Sequence, residues 1–189
     1  MKSKVIALSA ISASFVAIFL TLGAYIEFFD LIAVVIASIF VILPSYYESR
    51  LGCFLSYLVG GFIGFMFSGF NIMSIVFPAY FAFFGLMPVL NLFAQGKINK
   101  KIWYIIKLVW AVAVMFALLW YYTAIMNMPI EYTFELFGNT FDLTEVENVY
   151  YMFLGVYGVF GIIFFAVYDK FVHVAKFATD KLLNRIIKK

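Results

Sequence analysis

The chain has 189 residues, of which 66% are hydrophobic, 22% aromatic and only 12% charged, and its mean hydropathy is +1.06. A soluble domain averages about 45–50% apolar and about 25% charged residues, and a chain this short has no interior large enough to hide such an excess. Disorder, a coiled coil and a disulfide scaffold are excluded by the same numbers; the composition is that of an integral membrane protein.

The net charge of +3 matters less than where the charges stand. A helix needs roughly 20 apolar residues to cross about 30 Å of hydrocarbon, so the gaps between charges mark the spans. Lys4 and Glu27 enclose 22 uncharged residues, Asp30 and Glu48 enclose 17, and Arg50 and Lys97 enclose 46, enough for two spans and a turn. Ser68-Gly69-Phe70-Asn71 supplies that turn, because such residues favour non-helical dihedrals. Lys107 and Glu131 enclose 23 and Glu147 and Asp169 enclose 21. The expectation is an all-α bundle of six transmembrane helices near 5–26, 31–47, 51–68, 72–95, 102–127 and 148–169, forming one domain over 1–189. The N-terminal run after Met1-Lys2-Ser3-Lys4 is too long for a signal-peptide core and reads as an uncleaved first helix.

Orientation follows from Lys and Arg, which accumulate in cytoplasmic segments. With the N-terminus inside, all 13 basic residues fall on one side, provided that Lys107 snorkels back to it. The external segments then hold Glu27, Asp30, Glu131, Glu135, Asp142, Glu145 and Glu147, with no Lys or Arg. The expected topology is N-in, C-in, multi-pass in the plasma membrane. In the long external loop, Pro129 to Glu135 alternates enough to lie extended or in the interface. The tail 176–189 sets Leu182, Leu183, Ile186 and Ile187 against Lys181, Arg185, Lys188 and Lys189, the pattern of a basic amphipathic helix on the inner leaflet.

Small residues let membrane helices approach closely. The third helix has Gly52, Ser56, Gly60, Gly64 and Ser68 at fourfold spacing, which reads first as packing within the bundle and second as a sliding or substrate-lining surface. The first helix repeats the pattern with Ser9, Ala13 and Ala17, a line open to either intrachain packing or a partner helix. Gly155, Gly158 and Gly161 mark close packing or a bend in the sixth. Pro78, Gly85 and Pro88 kink the fourth helix, either as plain structure or to line a cavity.

Signatures of enzymes are missing: there is no H-E-x-x-H, G-x-S-x-G or G-x-x-x-x-G-K-[ST]. The single cysteine, Cys53, and the single histidine, His173, assemble no metal-ligand spacing. No catalytic residue, metal, cofactor or nucleic-acid partner is expected, and the spans offer no acidic pair or buried histidine for a proton relay. The acidic, aromatic outer face reads either as an interface belt or as a pocket for a small, cationic or ring-containing solute. Tyr80, Trp120, Tyr121, Glu131 and Tyr151 are the candidate lining residues, since aromatic faces give apolar contact and cation–π attraction.

Six helices with both ends inside, together with Ala13-x-x-x-Ala17, resemble the substrate-binding S component of energy-coupling factor (ECF) transporters. Phe29-Asp30-Leu31-Ile32-Ala33 through Ala37-Ser38, then Glu48 and a glycine-rich third helix, are similar to S-component-like proteins of Gram-positive bacteria. The resemblance covers residues 5–125 best. It implies uptake of a small, vitamin-like solute, separate ATPase subunits, and docking of a transmembrane T subunit on Ser9, Ala13 and Ala17. No vitamin-specific residue set maps onto the chain. The alternative, from another class, is a non-catalytic membrane scaffold resembling the cell-shape protein MreD.

Overall fold

Charged residues interrupt the apolar sequence where helices end, and the computed structural model follows those interruptions. It describes residues 2–128, 133–136, 139–142 and 149–187. Among them are six helices long and apolar enough to cross a membrane: α1 (Lys2–Tyr25), α2 (Asp30–Val41, extended by a 3-10 turn at Leu43–Tyr47), α3 (Arg50–Phe67), α4 (Val76–Ala94), α5 (Lys100–Ile125) and α6 (Val149–Ile187). The chain is therefore a multi-pass helical membrane protein.

Local chemistry sets the boundaries. Pro44 stands in the 3-10 turn that ends the second span, and Glu48 closes it in the left-handed region at φ 57°. Ser49 caps α3 by accepting from Gly52 N at 3.0 Å, and Asn99 caps α5 by accepting from Lys101 N at 2.9 Å. The turn between α3 and α4 includes Gly69 at φ 70° and Phe70 at φ 56°. α4 begins at Val76 rather than 72, because Ser68, Asn71 and Ser74 engage backbone N–H groups in successive turns.

Two expectations are corrected. The sixth helix does not stop near 169 to be followed by a separate tail helix: α6 runs unbroken for 39 residues. Asp169-Lys170 looked like a terminus only because the pair is charged. Lys107 does not snorkel; it is 3% exposed and points at α6. Between α5 and α6 the strands β1 (Thr133–Leu136) and β2 (Asn139–Asp142) pair antiparallel, with Phe134 opposite Phe141. β1 thus holds part of the segment expected to lie extended. Residues 129–132, including Glu131, lie outside the described residues.

The small-residue lines of α1 and α3 close on each other. A methyl group on Gly60 would stand 2.7 Å from Val16 Cβ and 2.8 Å from Ala13 O, and one on Gly64 would stand 3.2 Å from Ala17 O. Ser56 Oγ donates to Ser9 O at 3.0 Å, and Thr21 Oγ1 lies 3.3 Å from Gly64 O. Ala13 and Ala17 are buried in this seam, so the line proposed for a T subunit is occupied by the chain's own α3. On α6, Gly158 and Gly161 face Phe116 and Met115 of α5, while among the described residues nothing lies within 4 Å of a methyl group placed on Gly155.

Candidate functional site

α4 is the structural hub, and its two prolines explain why. In an α-helix the Phe84 carbonyl would accept from the N–H of residue 88, but Pro88 has none. Tyr168 of α6 takes that place, donating its hydroxyl to Phe84 O at 2.9 Å. After Pro78 the helix loosens into a π turn over Tyr80–Phe84, with Gly85 N donating to Tyr80 O at 2.9 Å. Phe81 O then accepts from Tyr57 of α3 at 2.8 Å, and Ala82 O accepts from Trp110 Nε1 of α5 at 2.9 Å. Irregular backbone in a membrane persists only where neighbours satisfy it; here three helices do so through one aromatic side chain each.

The π turn also aims its rings. Tyr80 is fully buried and donates to Tyr57 O at 3.1 Å. Its ring fits between Gly61 and Gly85, where added methyl groups would come within 2.9 Å and 2.6 Å of it. Phe83 and Phe84 point the other way, onto Tyr168, with ring centroids 5.2 Å and 5.0 Å away.

Above these rings, toward the end of the bundle where α2 begins, lies an apolar cavity of about 220 Å³. α2 contributes Asp30, Leu31 and Val34, and α4 contributes Val76, Ala79, Phe83 and Phe84. α5 supplies Ala111, Val114, Met115 and Leu118, and α6 supplies Tyr157, Gly161, Phe164 and Phe165. Among the described residues, the carboxylate of Asp30 is the charged group on the wall. It sits in the first turn of α2, where the helix dipole favours an anion, and it accepts from Leu31 N at 2.5 Å. Tyr157 is a second polar group, its hydroxyl 3.2 Å from Met115 O. Such a cavity gives dispersion contact over most of a ligand and one ionic or hydrogen-bonding handle.

Beneath the floor is a buried ion pair. Lys107 Nζ of α5 meets Asp169 Oδ1 of α6, and its ammonium lies 5.8 Å from the Phe165 ring centroid and 5.9 Å from that of Tyr104. His173 stands one turn further on, 3.9 Å from Asp169 Oδ2 and largely exposed. Charges inside a span are costly and are held by partners, and the pair locks α5 to α6 below the cavity. The spans thus contain one partly buried carboxylate paired with a lysine, which is not an acidic pair. Among the described residues no group of three or more His, Cys, Asp and Glu could hold a metal ion.

The five sequence candidates are not brought together. Tyr80 lies in the core behind the π turn. Trp120 and Tyr151 are 63% and 70% exposed on the outer surface of their helices. Tyr121 donates to Ile72 O and lines a separate groove with Phe62, Pro78 and Phe81. Glu131 lies outside the described residues. The cavity residues were hard to read in advance, because Val114 or Phe164 differs in no sequence property from a lipid-facing neighbour. Only Asp30, a carboxylate at the start of a span, carried a signal. No family model, curated protein or solved structure matches the chain.

Proposed function

We propose that the chain is the membrane-embedded, solute-binding subunit of an ECF-type uptake transporter. In this reading it lies in the plasma membrane with both termini cytoplasmic and takes a small, ring-sized, vitamin-like molecule. The observation that carries the proposal is the cavity between α2, α4, α5 and α6, apolar over nearly all its described wall and marked, among the described residues, by the single carboxylate of Asp30. Its volume of about 220 Å³ falls below the roughly 300–1,000 Å³ of pockets for drug-sized ligands, which favours a compact solute with a donor or a positive charge for Asp30. The ATPase and T subunits of the family would be separate chains. Because Ser9, Ala13 and Ala17 pack on α3, a T subunit would dock on another face.

The test is purification of the full chain in a mild detergent, with mass spectrometry of whatever small molecule co-elutes. A solute that is retained by the wild type and lost from Val114→Trp supports the reading. Stable co-purification of cell-shape proteins, with no solute, supports the membrane-scaffold alternative instead.

A further inference from the structure

At the opposite, basic end of the bundle a second cavity, of about 870 Å³, opens between the 3-10 turn after α2, the start of α3, the end of α4 and the far half of α6. It differs in kind from the first. Its wall carries Glu48, Arg50, Lys176 and Asp180, two cations and two anions. Among the described residues the ion pairs within 4.0 Å are Lys107–Asp169 and His173–Asp169, so none of these four charges is neutralised by another. Ser45, also on the wall, has a buried hydroxyl with no hydrogen-bond partner. The rim is tied across by Tyr46, whose hydroxyl donates to Asn184 Oδ1 at 2.9 Å. Four charges around one space, none paired with another within 4.0 Å, are what a polar ligand could engage.

Depth narrows its chemistry. Asp169 stands 20 residues from Val149, about 30 Å at 1.5 Å per residue, a hydrocarbon thickness. Lys176 is 7 residues beyond Asp169, about 10 Å further, at the aqueous edge of the headgroup region, from which its long side chain can reach back. Arginine meets phosphate oxygens with its planar fork, and lysine meets them as a point charge. The two carboxylates can take a cation on the same molecule.

We propose that this cavity is a second binding site, for a phosphate ester that carries an ammonium group. Arg50 and Lys176 hold the phosphate, and Asp180 and Glu48 hold the ammonium. An aminophospholipid headgroup and a free amino-alcohol phosphate share that chemistry. The assignment does not rest on the solute reading of the apolar cavity.

Calorimetric titration of the full chain in a maltoside detergent tests it, with short-chain phosphatidylethanolamine, short-chain phosphatidylglycerol and O-phosphoethanolamine as probes. The ethanolamine lipid should bind saturably and about tenfold tighter than the glycerol lipid. Lys176→Gln should weaken it about tenfold, equivalent to about 1.4 kcal/mol, and Lys176→Arg should retain it. Asp180→Asn should erase the preference between headgroups. Saturable binding of O-phosphoethanolamine as well identifies a soluble ester as ligand, and binding of the lipid alone identifies the bilayer as its source. Equal affinity for both lipids, no saturable binding, or a folded Lys176→Arg chain that binds nothing would overturn the proposal.

Discussion

Lys107 and Asp169 form an ion pair across the α5–α6 interface with side chains only 4% and 15% exposed. Lys107 is buried and Asp169 only partly exposed, so removing one leaves the other poorly compensated. The expected outcome is that Lys107→Met destabilises the chain by about 3–5 kcal/mol, while Lys107→Met with Asp169→Leu recovers most of the loss. Melting in detergent, arranged as a double-mutant cycle, reads this directly. Strictly additive losses would show that the two groups do not act as a pair.

Tyr168 substitutes for the N–H that Pro88 lacks. Tyr168→Phe should therefore leave Phe84 O without a donor and cost about 1–3 kcal/mol. In a Pro88→Ala background, where residue 88 again has an N–H, the same substitution should cost much less. Equal losses in melting temperature in both backgrounds would refute the exchange.

The α1–α3 seam admits no large side chain. Ala17→Trp should lower the melting temperature and abolish solute binding together, since it pries apart the helices on which the bundle rests. Ile18→Trp, at a position 52% exposed, should do neither. A folded, solute-binding Ala17→Trp chain that fails only in complex assembly would restore the partner-docking reading of this line.

Filling the apolar cavity should act on binding alone. Val114→Trp places a ring in the space from its α5 wall, and solute retention should fall at least about tenfold with little change in melting. Asp30→Asn should weaken a cationic solute while sparing a neutral one, measured by direct titration.

Topology can be read by labelling. In a Cys53→Ser background, Asn139→Cys should react with impermeant thiol reagents on intact cells and Ser3→Cys should not. The reverse pattern would invert the assigned orientation.

The spans could be read from sequence because charges are scarce and bound them: Glu27, Asp30, Arg50 and Lys100 each lie at or within three residues of a helix end. The same rule failed where a charge is internal. Lys107 and Asp169 satisfy each other across two helices 62 residues apart, and no local pattern distinguishes that pair from two boundary residues. The fourfold lines of α1 and α3 were each legible, but their pairing is a tertiary fact. Pro78 and Pro88 pointed to an irregular α4. The donors that repair it, Tyr57, Trp110 and Tyr168, are aromatic residues in a chain that is 22% aromatic, so nothing marked them out.

The length of α6 has a mechanical consequence. Its 39 residues make a rod of about 58 Å, nearly twice the thickness of the hydrocarbon layer. Lys107 and Tyr168 grip it near the middle. One arm carries Tyr157, Gly161 and Phe165 along the wall of the apolar cavity; the other carries Lys176, Asp180 and Asn184 along the wall of the polar one. Ile187 lies 18 residues past Asp169, about 27 Å along the axis. A tilt of about 10° at the grip would therefore swing that tip by about 5 Å. Because both cavities share this one helix, any such tilt would change them together.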